Sequence, residues 1–285
     1  MRNDLSSLKP SQHPHELPRI IFFDIDGTLV DSELTIREKT VAAIKAIQAR
    51  GIAVALASGR PFFAAGDIIA QLNIKDLCLF YSGGLIIDPL SKKIIHEICL
   101  SKQQVLNITS AAKQSNLYCE LFTKDAYYAE CLTPFSEIHA EYMKIFPKLK
   151  AFDELLEEEP IIKAEFSLFR GPQEQALKQI IAEHPELCFA TASGAKHPNL
   201  IFVNILNGQA SRKIGFEILL QEIGAQHSQT IAFGDGESDL PFLRCAGIGI
   251  AMGNAPRIVK EAADYVTKSV EEDGVVYALE KLGLI

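Results

Sequence analysis

The stretch of sequence that decides the fold of this chain is Ile20-Ile21-Phe22-Phe23-Asp24-Ile25-Asp26-Gly27-Thr28-Leu29. Four consecutive apolar residues stop at Asp24, and such a run predicts a short strand that is buried on both faces. Gly27 permits a sharp turn directly after the strand. Asp24 and Asp26 are two residues apart, so strand alternation would direct both carboxylates to the same side.

The same pattern of short buried strands alternating with helices continues along the chain. Helices are predicted over residues 36–50, 61–72 and 211–223. The predicted strands of this pattern cover residues 20–23, 52–57, 77–81, 200–205, 229–233 and 248–251. Alternation of this kind is typical of a parallel sheet with crossover helices, so we expect an α/β fold with a doubly wound, Rossmann-like core.

The middle of the chain has a different pattern, in which hairpins are mixed with helices. We interpret it as a separate α+β cap domain that is inserted into the parallel core. The predicted organisation is a polar N-terminal extension over 1–18, a discontinuous core over 19–84 and 196–285, and a cap over 85–195. We expect hinges near Gly83-Gly84 and around residues 193–198.

The composition excludes several classes of protein. The chain has 285 residues and a formal net charge of -8, and its basic residues are scattered, which argues against nucleic-acid binding. The six cysteines form no CxxC pair and lie mostly in apolar runs, a pattern typical of buried free thiols in a reducing compartment. We find no signal peptide and no apolar run of about 20 residues, so we expect a cytoplasmic protein without a membrane anchor.

Four short polar segments stand at or just beyond the ends of predicted strands. They are residues 24–28, 58–60, 211–213 and 234–239. Sites in open α/β sheets form at the carboxyl ends of the strands, so these segments should meet in one crevice. An EF-hand calcium loop is excluded, because Gly27 falls at position 4 and Thr35 stands where the bidentate Glu is required.

Carboxylates dominate two of these segments. Asp24 and Asp26 would repel each other if both were ionised, and Asp235 and Asp239 add two more carboxylates after another strand. A divalent cation relieves such repulsion, and Mg²⁺ prefers carboxylates together with water and phosphate oxygens. The sequence therefore predicts a Mg²⁺ site at this crevice.

In its motifs, the chain resembles the haloacid dehalogenase (HAD) superfamily of phosphatases, and within it the Cof-type branch with a large α+β cap of the C2 type. The first motif, Asp-x-Asp-Gly-Thr-Leu after a strand, matches residues 24–29, and the second matches Ser58 with Gly59-Arg60. The fourth, Gly-Asp-Gly-x-x-Asp, matches residues 234–239, and residues 251–255, Ala-Met-Gly-Asn-Ala, are also typical of the branch. The third motif is a Lys before a helix; its spacing points to Arg212, whereas residue type favours the neighbouring Lys213.

The resemblance implies a Mg²⁺-dependent phosphatase with Asp24 as nucleophile and Asp26 as general acid and base. The implied catalytic set is Asp24, Asp26, Ser58, Lys213 and Arg212; the implied phosphate-binding residues are Thr28, Ser58, Gly59 and Arg60; and the implied metal-binding residues are Asp24, Asp26, Asp235 and Asp239. Small phosphorylated metabolites, sugar phosphates among them, are the implied substrates, and the cap would close over the site and select among them. A phosphomutase on the same core and a non-enzymatic phosphate sensor are the alternatives; a receiver-type domain would be about half as long.

Overall fold

The structure, a computed structural model, describes residues 3–5, 17–193 and 197–285. Most of the predicted N-terminal extension and part of the second predicted hinge therefore lie outside the described residues. The strands, in chain order, are β1 (Asn3–Asp4), β2 (Ile20–Phe23), β3 (Ala53–Leu56), β4 (Cys78–Phe80), β5 (Leu85–Ile87), β6 (Ile94–Glu97), β7 (Tyr118–Phe122), β8 (Tyr127–Ala129), β9 (Lys148–Leu149), β10 (Lys163–Phe169), β11 (Leu187–Ser193), β12 (Leu200–Asn207), β13 (Thr230–Gly234), β14 (Ile248–Ala251) and β15 (Tyr265–Val266).

The helices, in the same order, are α1 (Glu38–Ala49), α2 (Gly66–Leu72), α3 (Lys102–Gln114), α4 (Pro134–Met143), α5 (Phe152–Glu158), α6 (Gln173–Glu183), α7 (Arg212–Ile223), α8 (Leu240–Cys245), α9 (Arg257–Ala262) and α10 (Gly274–Lys281). The predicted helix over 61–72 is divided into a 3₁₀ turn over Phe62–Ala65 followed by α2. A capping box begins α3, where the Ser101 hydroxyl accepts from the Gln104 N–H and the Gln104 side chain accepts from the Ser101 N–H. In the described part of the chain, no helix is long and apolar enough to cross a membrane.

The chain forms two compact units, and the first is the parallel core. It comprises residues 1–59, 66–96 and 212–285, as far as these are described. Its main sheet has six strands in the order β1-β15-β14-β13-β2-β3, and all neighbouring pairs are parallel. The doubly wound α/β core predicted from the sequence is confirmed.

Strand β2 lies at the centre of this unit's packing. All four of its side chains are fully buried, because β13 and β3 flank it and helices cover the sheet. Phe23 stacks on Phe233 of β13 with ring centroids 4.9 Å apart, and Phe22 packs against Phe216 of α7 at 4.8 Å. The apolar run of β2 therefore fixes the position of the polar residues that follow it.

The second unit is an α+β unit that comprises residues 60–65 and 97–211, as far as these are described. Its six-stranded sheet has the order β11-β12-β10-β7-β8-β9, antiparallel except for the parallel pair β8 and β9. One face packs an apolar core against helices α3, α5 and α6, with Val105, Leu155 and Leu177 among the contributing side chains.

The predicted assignment of residues 200–205 to the parallel core is wrong. Strand β12 pairs antiparallel with both β10 and β11, inside the second unit. A strand in the middle of a sheet covered on both faces has the same continuous apolar sequence in either kind of sheet, so sequence alone does not separate the two. The hairpin of β5 and β6 lies almost wholly in the first unit, so the unit borders fall at 96/97 and 211/212 instead of at the predicted 84/85 and 195/196.

All six cysteines lie among the described residues and are free. Cys78 is buried, and burial raises the pKa of its thiol to about 12. The prediction of burial is wrong for Cys131 and Cys188, which are exposed.

The second face of the second unit's sheet carries a buried network of charges under helix α4. The imidazole of His139, on α4, places Nδ1 2.5 Å from Glu120 of β7 and Nε2 3.3 Å from Glu165 of β10. Lys163 donates to Glu165 at 2.7 Å and to Asn204 at 2.9 Å. The two ring nitrogens contact different carboxylates, so the imidazole lies between them as a bridge.

The ionisation of this network favours an imidazolium. Burial lowers the pKa of His139, but the carboxylates of Glu165 and Glu120 outweigh it, so the pKa is raised above its ordinary value. For Glu165, burial raises the pKa, but His139 and Lys163 outweigh it, so the pKa is lowered. Two carboxylates, one imidazolium and one ammonium then balance in charge, as a buried ionic network requires.

We predict a pH-dependent loss of stability when His139 is replaced by Gln. A raised folded-state pKa means that the contribution of the imidazolium is fully present below the unfolded-state pKa of about 6.5 and is lost as pH rises through the folded-state value. The variant should lose about 3–5 kcal/mol of unfolding free energy at pH 6, because two buried carboxylates lose their shared cation, and less at higher pH. Urea unfolding at a series of pH values measures this, with His184→Gln as control. A difference in unfolding free energy between the native protein and His139→Gln that grows with pH would contradict the assignment of His139 as an imidazolium.

Candidate active site

Asp24 and Asp26 lie where central strand β2 leaves the sheet. The Asp24 N–H donates to the Phe233 carbonyl at 3.0 Å, which continues the pairing with β13 one residue beyond the strand. The Asp24 side chain is buried, whereas Asp26 is exposed. The sheet thus presents Asp24 at its carboxyl edge with a fixed backbone.

The segment that follows β13 brings two further carboxylates to the same edge. Asp239 is buried, and its Oδ2 accepts from the N–H groups of Asp235 and Gly236, both at 2.8 Å. Asp24, Asp235 and Asp239 each offer an oxygen within 4.8 Å of the others. The convergence predicted for the first and fourth motifs is therefore observed.

Gly27 is required by this convergence. Its φ is +77°, and a Cβ at this position would lie 2.2 Å from Asp235 Oδ2. Any other residue would thus combine backbone strain with a collision against the carboxylate. The glycine allows the loop after β2 and the loop after β13 to touch.

Arg212, at the start of α7, supplies the cation among these carboxylates. Its Nη1 donates to Asp24 Oδ1 at 3.3 Å and to the Ala57 carbonyl at 3.2 Å, and it also contacts Asp239 Oδ1. The side chain is 5% exposed. The preference for Lys213 drawn from residue type is not supported by the geometry, because the Lys213 side chain is exposed whereas that of Arg212 is buried among the carboxylates.

The second-motif residues lie at the end of β3, next to this cluster. Ser58 is buried, and its backbone N–H donates to the Leu79 carbonyl at 2.9 Å. A Cβ on Gly59 would lie 3.7 Å from Arg212 Nη2, so the backbone passes close to the guanidinium. Arg60, in contrast, begins the segment over 60–65 that belongs to the second unit.

Thr28, which follows Gly27 in the loop after β2, is also buried. Its side chain is 1% exposed, and its hydroxyl has no hydrogen-bond partner in the described part of the chain. Contact between the Thr28 hydroxyl and a phosphate therefore stays a prediction.

Crowding and burial raise the pKa values of these carboxyl groups. Burial is the largest cause for Asp24, whose pKa lies well above its usual range; Asp239 raises it further and Arg212 opposes the shift. Burial and the charges of Asp239 and Asp26 raise the pKa of Asp235 to about 7. The cluster is thus short of positive charge.

The donor set of this cluster fits a divalent cation. Three ionised carboxylates and one guanidinium leave a net charge of −2 (−3 + 1), which one divalent ion would neutralise. Asp239 has both oxygens engaged, one by Arg212 and one by backbone N–H groups, so Asp24 and Asp235 are the better ligands. Hard carboxylate oxygens without nitrogen or sulfur ligands suit Mg²⁺.

Asn254 is a site residue that sequence reasoning missed. It follows β14, and its Nδ2 donates to Asp235 Oδ2 and to the Gly27 carbonyl, both at 2.9 Å. The signal was present in the sequence, because residues 252–255 directly follow strand β14 of the parallel sheet, as the other site segments follow theirs.

Comparison with known proteins identifies the family. The model of the haloacid dehalogenase-like hydrolases matches residues 21–279, so the chain belongs to this family. The phosphatase YwpJ of Bacillus subtilis is 28% identical over 93% of this chain and 99% of its own length.

Solved structures agree with this assignment. A haloacid dehalogenase-like hydrolase from Bacteroides thetaiotaomicron has a TM-score of 0.83 and 28% identity, covering 93% of this chain and 99% of its own. The HAD subclass IIB sugar phosphatase BT4131 has a TM-score of 0.79 and 25% identity, covering 94% of this chain and all of its own.

We predict that Arg212→Met destabilises the protein while Lys213→Met does not. Removal of the guanidinium leaves Asp24 and Asp239 buried without their cation, which should cost about 3–5 kcal/mol of unfolding free energy. Lys213 is the matched control, since it is the next residue of the same helix and its side chain is exposed; its loss should change stability by less than about 0.5 kcal/mol. Urea unfolding in EDTA measures both. Equal effects, or the reverse order, would contradict the assignment of Arg212.

Proposed function

We propose that this protein is a phosphatase that hydrolyses small phosphomonoesters through a phospho-aspartyl intermediate on Asp24, with Mg²⁺ as its cofactor. The observation that carries the proposal is the cluster of Asp24, Asp235 and Asp239 around Arg212, at the carboxyl edge of the parallel sheet. Membership of the haloacid dehalogenase-like hydrolases and the similarity to the phosphatase YwpJ support it.

In the first step, an Asp24 carboxylate oxygen attacks phosphorus, and the bond from phosphorus to the ester oxygen breaks. Asp26 gives its proton to the departing alkoxide, a role that suits its exposed position two residues further along. In the second step, Asp26 takes a proton from water, the water oxygen attacks phosphorus, and the bond to Asp24 breaks. Two displacements replace one difficult hydrolysis.

The remaining site residues would orient the reacting groups and neutralise their negative charge. Arg212 holds the Asp24 carboxylate in place and offsets charge near the transferring group, while Ser58, buried beside it, would hydrogen-bond the phosphoryl oxygens. Asp239 positions Arg212 and the backbone of the loop at Asp235. Asp24 and Asp235 would hold Mg²⁺, together with the Asp26 carbonyl; when bound, this ion lowers the repulsion between a carboxylate nucleophile and an anionic phosphate.

A sugar phosphate is the substrate class we favour, because the similar structure BT4131 is a sugar phosphatase. The six free cysteines support a cytoplasmic location, where thiols stay reduced.

The proposal predicts that hydrolysis of p-nitrophenyl phosphate depends on Mg²⁺, stops in EDTA and is lost in Asp24→Asn. The amide cannot act as the nucleophile, so turnover should fall by more than about a thousandfold. Asp67→Asn is the matched control, since Asp67 is an exposed aspartate in the first turn of α2; it should keep full activity. Release of p-nitrophenolate followed by absorbance is the measurement.

Full activity of Asp24→Asn would exclude Asp24 as the nucleophile. Activity that persists undiminished in EDTA would exclude a divalent cation as cofactor. The role of Asp24 as nucleophile would then still be tested by comparing the activities of Asp24→Asn and Asp67→Asn.

A further inference from the structure

Asn254 makes three side-chain hydrogen bonds, and they join three separate loops of the first unit. Nδ2 donates to Asp235 Oδ2 and to the Gly27 carbonyl, while Oδ1 accepts from the Val270 N–H at 3.0 Å. The amide thus connects the loop after β13, the loop after β2 and the segment after β15. Two of its partners belong to the candidate active site.

The partners leave one possible orientation for this amide. A carboxylate oxygen and a carbonyl oxygen can only accept, and a backbone N–H can only donate, so Nδ2 must face the site and Oδ1 must face Val270. A side chain with a single kind of hydrogen-bonding group could not satisfy all three partners.

The segment that carries Val270 is itself attached to the loop that follows Gly27. The Glu271 carboxylate accepts from the Ser32 N–H at 3.1 Å and from its hydroxyl at 2.9 Å. Arg37 donates to Asp273 at 2.5 Å. Hydrogen bonds thus fix the segment to which Asn254 Oδ1 is bound. The Asn254 amide can therefore restrain the Asp235 carboxylate that it contacts.

Asn254 is exposed, so its side chain adds little to the packing of the core. Hydrogen bonds at an exposed position contribute modestly to stability, whereas an oriented carboxylate is what a cation site with strict geometry requires. Asn254 fixes Oδ2 of Asp235, and a cation needs only one oxygen from that carboxylate.

We propose that Asn254 is a positioning residue for the cation site: it holds the Asp235 carboxylate and the loop at Gly27 in the arrangement that binds a divalent ion. This inference rests on the proposed function. Partners that orient metal ligands typically change metal affinity by about 10–100-fold when removed. Asn254→Ala should weaken Mg²⁺ binding within this range and leave the unfolding midpoint in EDTA unchanged.

The experiment is isothermal titration of Mg²⁺ alone into the full-length, EDTA-treated protein, its Asn254→Ala variant and the control Asn207→Ala. Asn207 also loses side-chain hydrogen bonds on truncation, to the Cys99 carbonyl and from the Gln209 N–H, but it lies in the second unit. We expect a larger dissociation constant for Mg²⁺, and thus weaker binding, for Asn254→Ala only. Asn254→Ser serves the same comparison if the alanine variant does not fold.

The outcomes separate this inference from the function it rests on. Equal Mg²⁺ affinity of the native protein and Asn254→Ala overturns the role of Asn254 alone. A native protein that binds no Mg²⁺ overturns the cation site and the role of Asn254 together. A variant that loses Mg²⁺ affinity only in proportion to a lowered unfolding midpoint in EDTA shows a structural role and also overturns the inference.

Discussion

The repulsion among carboxylates at one edge of the parallel sheet is the constraint on which the rest of the site depends. The carboxylates of Asp24, Asp235 and Asp239 lie within 4.8 Å of one another, and Arg212 contacts two of them, Asp24 and Asp239. The raised pKa values of Asp24 and Asp235 express the cost of this arrangement. A site built in this way favours a divalent cation, because the ion supplies the positive charge that the cluster lacks.

The fold provides this edge through strand order. Strands β2 and β13 are neighbours, so the loops that follow them are adjacent although more than 200 residues separate them in sequence. Gly27 lets those loops touch, Arg212 reaches them from the start of α7, and Asn254 reaches them from the loop after β14. Elements distant in sequence therefore each contribute one group to a single small volume, as the carboxyl edge of a parallel sheet allows.

Much of this could be read from the sequence, and the failures have physical causes. The run before Asp24 predicted the central strand because four buried residues in succession need cover on both faces. The choice between Arg212 and Lys213 failed because neighbouring helical residues point about 100° apart, and only the docked helix shows which one faces inward. Strand β12 was misplaced because its apolar run fits either sheet. The contacts of His139 with Glu120 and Glu165 join a helix to two strands. They could not be predicted from the sequence, because isolated charged residues form no periodic pattern that would indicate which of them come together.

The claim at the centre of this account is that Asp24 becomes covalently phosphorylated. Treatment with borohydride during turnover of a phosphomonoester reduces an aspartyl phosphate to homoserine, and mass spectrometry of the peptides then locates the modified residue. We expect homoserine at position 24 only when substrate and Mg²⁺ are both present. Homoserine at another aspartate, or an unmodified Asp24 throughout steady turnover, would contradict the account.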